Sequence, residues 1–426
     1  MIDFLKKVDW FSILLYALLV FIGWLNIYSA TYTGEGGSIL NSDTFYGKQL
    51  VFIIVSCFLV IILLSVEAKF YERFASIIYL ASLLSLLGLF VFGKNVNGAT
   101  SWYAIGGMTL QPSEFAKAAT ALALAKYLSD IQTDIKDFKD LLKIFLIISL
   151  PAFLIIPQPD PGSALVYAAF FFVLYREGLH PMYLLIGFFS IILFTATLLF
   201  GTIWVFLGSA LLLGLAYYYL KRKKQRVTIL QLIVVLIVTT TFSYSVDFIF
   251  NNVFEQRHRD RFSLWLRLED DPVKLNQIRK TIGYNTYQSE SAIGSGGFMG
   301  KGFLEGTRTK GNFVPEQHTD YIFSTVGEEW GFVGTSAVVL LFSMLILRLI
   351  FLAERQKSAF SRIYGYSVAS IIFFHFAINV GMVIGLLPTV GIPLPFFSYG
   401  GSGLLGFTVL LFIFLKLDAN RINEWM

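Results

Sequence analysis

FVPEQHTDYIFSTVGEEWGFVG, residues 313–334, opens as a polar segment with Glu316, His318 and Asp320. It then runs into an apolar stretch that still carries Glu328 and Glu329. Whether this is the entrance to a membrane span or a helix of a soluble core decides the fold. The remainder of the chain settles the choice. Of 426 residues, 56% are hydrophobic and 14% are charged, whereas a soluble domain carries about 25% charged residues. Long apolar runs recur at short spacing, and backbone in lipid must satisfy its own hydrogen bonds. The expected fold is therefore an all-α polytopic integral membrane protein, a helical bundle of about 10–12 transmembrane helices. A membrane β-barrel would alternate apolar and polar residues instead.

Working outward, apolar segments lie at 11–30, 47–65, 74–93, 112–128, 141–157, 163–176, 181–200, 203–220, 228–250, 321–349, 361–387 and 402–418. With Lys6 and Lys7 inside, the inner connections hold Lys69 and Arg73, Lys136, Lys139 and Lys143, Arg176, the run KRKKQR at 221–226, and Arg355, Lys357 and Arg362. The outer connections are rich in Gly, Ser and Thr and poor in positive charge. This is the positive-inside pattern, and the formal net charge of +5 follows from it rather than from nucleic-acid binding. The segment 251–320 falls outside despite Arg257, Arg259, Arg261 and Arg267, and long loops are largely exempt from the rule. Cys57 stands alone in an apolar run, which excludes an internal disulfide and reads as packing. Met1–Trp10 leads straight into a full-length span, so no cleavable signal peptide is read there.

Polar residues gather in a few places. In the long outer loop, EQRHRDRFSLWLRLEDD reads as an amphipathic stretch suited to the headgroup interface. AIGSGGFMGKGF follows as a glycine-dense turn region, without the preceding strand of a dinucleotide site. In SWYAIGGMTLQPSEFAK, residues 101–117, Pro112 suits a first helical turn, and Glu114 and Lys117 share a face. Two readings stay open: the pair neutralises itself inside the bundle, or it meets substrate. Trp102 reads equally as an interfacial anchor.

PQPDPGSALVY, 157–167, breaks a helix at its prolines, with Asp160 as a cap for the next one. LLPTVGIPLPFFSYGGSG, 386–403, holds Ser398 and too many prolines and glycines for a regular span. Such backbone is tolerated where it lines a cavity or is buried in protein. His375 and Asn379 share a face of the preceding helix and are expected to make helix-to-helix hydrogen bonds. Glu328 and Glu329 follow Asp320 by eight and nine residues, about 12–13 Å at helical rise. They are expected to brace the bundle with Lys117, Lys48 or an arginine. Asp320, nearer water, suits proton exchange.

Taken in order along residues 100–405, QPSEFAK, PQPDPGSAL, AIGSGGFMGKG, PEQHTDYIF with GEEWGFVG, and LLPTVGIPLPFFSYGGSG resemble the SEDS proteins of shape, elongation, division and sporulation. KGFLEGTRTKGNFVPEQHTD looks like the elongation branch, RodA, more than the division branch, FtsW. The resemblance implies a single membrane domain over 1–426 in the bacterial inner membrane, with its site on the extracytoplasmic face. It implies a peptidoglycan glycosyltransferase that polymerises lipid II into β-1,4 glycan strands and releases undecaprenyl diphosphate. The implied partners are a class B penicillin-binding protein and other membrane proteins of the elongation complex. The family's essential aspartate maps onto Asp320, the tryptophan before its QPSE motif onto Trp102, and the motif's lysine onto Lys117. The family usually has ten spans, and the surplus here falls at 203–250, read as an inserted helical hairpin before the loop 251–320.

The chemistry requires a base for the attacking hydroxyl and positive charge for the departing diphosphate. Asp320 is the expected base in an inverting transfer, with Lys117, Lys48 and a loop arginine as diphosphate ligands. Trp102, Glu114, Glu316, His318 and Ser398 complete the expected substrate-binding set, and His318 reads most simply as a loop hydrogen-bonding group. No spacing demands a metal or cofactor, although a magnesium or manganese ion held partly by Asp320 or Glu316 is compatible with the chemistry. A flippase for a lipid-linked precursor also fits many spans and broken helices, but no inverted repeat is evident. A scaffold that only positions a transpeptidase leaves Asp320 unexplained.

Overall fold

The computed structural model describes residues 7–32, 41, 43–96, 99–105, 108–225, 228–254, 256–268, 271, 277–278, 280–281 and 283–421. Lys6 and Arg226 of the charge pattern lie outside these residues, as do parts of the outer loops.

Every apolar segment forms helix. In chain order the first helices are α1 (Trp10–Thr31), α2 (Phe45–Ser65) and α3 (Ala68–Phe92). They are followed by α4 (Pro112–Leu128), α5 (Phe138–Ile155) and α6 (Pro161–Leu165), the last continuing through a tight turn into α7 (Phe170–Arg176). Next come α8 (Pro181–Phe200), α9 (Thr202–Arg222), α10 (Ile229–Phe248) and α11 (Gln256–Leu266). The chain ends with α12 (Tyr284–Gly296), α13 (Thr307–Lys310), α14 (Ile322–Glu354), α15 (Ala359–Val383) and α16 (Gly401–Asn420). Among the described residues, nine of these are long and apolar enough to cross a membrane: α1–α3, α8–α10 and α14–α16. The helix α4 is shorter, α5 opens on charged residues, and α6–α7 is broken.

Local chemistry sets the helix starts. Asp9 caps α1 by accepting from the Ser12 amide at 3.0 Å, Pro112 occupies the first turn of α4, and Asp160 caps α6 by accepting from the Ser163 amide at 3.1 Å.

The chain divides into two compact units, Met1–Leu179 with Asn285–Met426, and His180–Tyr284. In the first, α16 is the most enclosed of the membrane-length helices and α15 follows, while the shorter α4 is also largely buried. In the second, α8, α9 and α10 pack on one another, and Thr197 and Ser243 share a buried hydroxyl hydrogen bond of 2.9 Å. Phe262 of α11 meets the rings of Phe194, Phe250 and Phe254 at 5.5, 6.3 and 6.1 Å, the apolar side of the amphipathic stretch. The 203–250 segment is α9 and α10 of this unit.

Several details depart from expectation. A three-stranded antiparallel sheet, β1 (Lys94–Val96), β2 (Ala99–Ile105) and β3 (Met108–Leu110), precedes α4. Its β2 is anchored where the Thr100 amide and the Ser101 hydroxyl both donate to the Gln158 carbonyl, at 3.3 and 3.2 Å. Residues 292–296 continue α12 and are not a turn, and a wider turn carries α10 on to Val253. Cys57 is exposed and packs against no core: Ser56 takes the inward position, and one residue further the helix surface has turned outward.

The longest helix, α14, has 33 residues. At full helical rise it would measure about 50 Å, against roughly 30 Å of hydrocarbon. It is broken at Gly331, where φ is +61°, a backbone region in which only glycine is unstrained. The break releases backbone groups, and the loop after α12 takes them up. Lys301 and Gly302 donate their amides to the Glu328 and Glu329 carbonyls, at 3.0 and 2.9 Å. Phe332 and Val333 donate to the Gly297 and Phe298 carbonyls, at 3.0 and 3.1 Å. No orphaned group at the kink is needed to explain it.

Candidate functional site

A cavity of about 280 Å³ opens within the first unit, between the sheet, the start of α4, the 157–163 break, the segment before α14 and the irregular 386–403 segment. Trp102, Glu114, Glu316, Asp320 and Ser398 all line it, joined by Gln111, Asp160, Thr319 and Tyr399. Four carboxylates therefore face one space, and among the described residues lining it there is no lysine or arginine.

Asp320 is held through its backbone. Three successive carbonyls are clamped: His318 accepts from the Tyr399 amide at 2.9 Å, Thr319 from the Ser398 hydroxyl at 2.7 Å, and Asp320 from the Asn379 side-chain amide at 2.8 Å. Two of the three donors come from the irregular segment, and Asn379 also donates to the Ile392 carbonyl at 2.6 Å. The segment itself avoids helix because its prolines cannot continue one. At Gly391, φ is +78°, and a Cβ there would stand 3.3 Å from Asp320 Oδ2. The glycine thus answers both a backbone and a space requirement. Ser398 also accepts from the Leu394 amide at 2.9 Å, so its hydroxyl is engaged in shaping the wall.

On the facing wall Glu114 Oε2 accepts from Lys117 Nζ at 2.8 Å, with side chains 4% and 2% exposed. The two share a face as expected, and Lys117 lies behind Glu114 rather than on the cavity surface. Gln111 donates to Asp160 Oδ2 at 2.9 Å while Asp160 Oδ1 caps α6. Asp160 therefore caps as expected and lines the cavity as well. Glu316 accepts from the Thr319 hydroxyl at 2.8 Å. The His318 ring packs on Phe45 at 4.4 Å and Tyr399 at 5.6 Å, and burial pushes its pKa down while Glu316 opposes. Its contacts are aromatic rather than the expected hydrogen bond within the loop, because Phe45 of α2 and Tyr399 of the irregular segment present rings to it. Lys48 is exposed near the start of α2 and does not line the cavity. Among the described residues no three His, Cys, Asp or Glu side chains converge as a metal-binding set.

Glu328 and Glu329 face protein, at 0% and 1% exposure, but their partners are neither Lys117, Lys48 nor an arginine side chain. Glu328 pairs with Lys301 at 2.6 Å and accepts from the Arg308 and Thr309 amides, each at 2.9 Å, and from the Thr309 hydroxyl at 2.8 Å. Glu329 accepts from Ser29 at 2.5 Å. For Glu328 the loop folded over the Gly331 break supplies what the bundle was expected to supply, while Glu329 is held by Ser29 of α1.

A family model described as cell cycle protein, FtsW/RodA/SpoVE, matches residues 9–231 and 207–423. The chain belongs to this family, the SEDS proteins. It is similar to the peptidoglycan glycosyltransferase RodA of Treponema pallidum (strain Nichols), with 31% identity over 438 residues, 97% of this chain and 98% of that one. It is also similar to the peptidoglycan glycosyltransferase MrdB of Escherichia coli (strain K12), 29% identical over 366 residues, 85% and 82% of the two chains. A probable peptidoglycan glycosyltransferase FtsW of Trichlorobacter lovleyi is 28% identical over 420 residues, 97% and 94%. Among solved structures, a chain from work on the structural coordination of polymerization and crosslinking by a peptidoglycan synthase complex aligns with a TM-score of 0.70 at 26% identity, over 98% and 99% of the chains. The rod shape determining protein RodA of Thermus thermophilus aligns at 0.62 and 25%, over 97% of each. This SEDS chain is thus a multi-pass inner-membrane member of a peptidoglycan glycosyltransferase family.

Reasoning from the SEDS sequence alone missed Gln111, Thr319, Tyr399 and Lys301. Gln111 directly precedes the helix-opening Pro112, and Thr319 directly precedes Asp320, so both were legible as neighbours. Tyr399 acts here through its backbone and ring, and Lys301 through a fold-over, neither of which leaves a pattern in the chain.

Proposed function

We propose that this SEDS protein is the peptidoglycan polymerase of cell elongation. It joins lipid II units into β-1,4 glycan strands, releases undecaprenyl diphosphate, and works beside a class B penicillin-binding protein and the elongation-complex membrane proteins. The cavity faces the extracytoplasmic side. The observation that carries this reading is Asp320, set into the cavity wall by three backbone clamps and lining one cavity with Glu114 and Trp102. A base must be aimed, and a carboxylate on a fixed backbone is aimed.

Asp320 takes the proton of the acceptor GlcNAc 4-hydroxyl as that oxygen attacks the donor sugar carbon, and the diphosphate leaves from the opposite face, with inversion. Glu114, Glu316 and Asp160 offer acceptors for sugar hydroxyls, and Trp102 offers a ring face. Lys117 offsets the Glu114 charge from behind. Lys48, exposed at the start of α2, and a loop arginine remain as contacts for the diphosphate at the rim. A magnesium or manganese ion arriving with the diphosphate would find oxygen donors in Asp320 and Glu316; the base step does not depend on it. The partner is inferred from the synthase complex to whose chain this one is similar.

Incubating the purified protein with lipid II, alone and with its class B partner, tests the reading. Glycan polymer is the expected product. Translocation of lipid II across a bilayer without polymer would overturn it in favour of a flippase. Loss of elongation growth on depletion, with division unaffected, is expected of the elongation assignment; filamentation would indicate the division role.

A further inference from the structure

Two buried polar groups of α15 take no part in the base step, yet both hydrogen-bond to residues of the cavity wall from behind. Asn379 has been described above. His375, one turn earlier and 1% exposed, is more informative. Its Nε2 lies 3.0 Å from Lys117 Nζ, and its Nδ1 lies 3.3 Å from the Pro393 carbonyl oxygen. An ammonium has protons and no lone pair, so Nε2 accepts. A carbonyl only accepts, so Nδ1 carries the proton. The two contacts together assign one neutral tautomer. Phe407 closes the group: Lys117 Nζ lies 4.6 Å from its ring centre, and the His375 ring meets it edge-on at 4.7 Å. Glu114, Pro393 and Phe407 line the cavity, whereas Lys117 and His375 stand behind them.

A simple helix brace would be served by one hydrogen bond. Here both ring nitrogens are used, and each leads to a different part of one cavity. The path Glu114–Lys117–His375–Pro393 crosses from α4 to the segment that holds Asp320. We propose that His375 is a positioning residue for the transfer reaction. Through Lys117 it aims the Glu114 carboxylate, and through Pro393 it steadies the wall beside Asp320. This rests on the reading of Asp320 as the base.

The test is lipid II polymerisation by the purified full-length protein with its class B partner, comparing His375→Phe and His375→Gln. Phenylalanine keeps a ring and loses both bonds, whereas the glutamine amide offers one acceptor and one donor. For His375→Phe, kcat is expected to fall about 100-fold, the scale of an ångström-level misplacement, with KM for lipid II within about threefold and the protein still folded at the assay temperature. His375→Gln is expected to recover to within about tenfold of wild type. In a Lys117→Met background, His375→Phe is expected to cost less than about threefold more, because groups acting as one unit are not additive.

Wild-type kcat in His375→Phe, equal losses in the Phe and Gln variants, or fully additive losses with Lys117→Met would each overturn the proposal. If His375→Phe does not fold, His375→Asn, too short to make both bonds, replaces it against His375→Gln. Asp320→Asn assayed in parallel keeps the two ideas apart: activity retained there overturns the base assignment, while the His375 comparison addresses positioning alone.

Discussion

Asp320 and Glu328 lie eight residues apart in one polar-to-apolar stretch, and the structure treats them oppositely. Glu328 is fully buried, and its carboxylate accepts from a lysine, two amides and two hydroxyls. Asp320 is partly exposed on a cavity wall, and its carbonyl and those of His318 and Thr319 each accept a hydrogen bond. A carboxylate whose oxygens are saturated by the fold holds structure. A carboxylate whose backbone is clamped while its side chain meets a cavity is placed for chemistry. The distinction is between a carboxylate enclosed by protein and one that lines a cavity.

The sharpest way to break this comparison is to neutralise each carboxylate in turn. Asp320→Asn keeps the shape and removes the proposed base. Polymerisation is expected to fall about 10²–10⁴-fold, the usual contribution of a positioned acid or base, with the thermal midpoint unchanged. Near-normal glycan synthesis by that variant would remove Asp320 from the mechanism. Glu328→Ala should do the reverse. Taking one partner from a buried pair costs about 3–5 kcal/mol, and here it also strands the Arg308 and Thr309 amides. Expected are a lowered unfolding midpoint and faster proteolysis within 297–310, with a milder defect in Glu328→Gln. Equal stability of Glu328→Ala and wild type would show that the loop is held elsewhere.

Between these extremes stands Gly391→Ala. Forcing a side chain to φ near +78° costs about 1–3 kcal/mol, and the new methyl crowds Asp320 Oδ2. Activity should drop about tenfold, by analogy with small displacements of catalytic groups, with a modest loss of stability. A stability loss without an activity loss would separate the irregular segment from the site.

The difference between the two carboxylates was only half legible in the chain. Helix positions were, because apolar run length and proline or glycine breaks are local properties; the bounds of α4 and α8 coincide with the apolar runs. The convergence of Glu114, Asp320 and Ser398 followed motifs, since each lies at or close to a helix start, whereas Trp102 arrives on the strand β2. What the chain concealed is contact made by folding over. Lys301 reaches Glu328 only because α14 is interrupted at Gly331 and the loop after α12 replaces the lost backbone bonds. The small sheet before α4 was hidden for a related reason: short strands gain their partners from one another and from the Gln158 carbonyl, not from apolar periodicity.

His318 supplies the smallest effect and the finest test, because it adjoins Asp320 and titrates outside the helices. Burial against Phe45 and Tyr399 lowers its pKa below the ordinary 6.5, and the Glu316 charge opposes this without reversing it. With the folded-state pKa depressed, the unfolded chain binds the proton more readily. The stabilisation is therefore complete above about pH 6.5 and is lost as pH falls from there through the folded-state value. His318→Phe keeps a ring on Phe45 and abolishes the titration. Thermal midpoints of the two proteins should run parallel above pH 7 and diverge below pH 6.5, with wild type falling faster. The Asp320-dependent activity at pH 7 should change little, because the imidazole is already neutral there. A wild-type midpoint that rose on acidification would instead mean that Glu316 dominates the ring, and that His318 belongs with the charged groups of the cavity rather than with its aromatic frame.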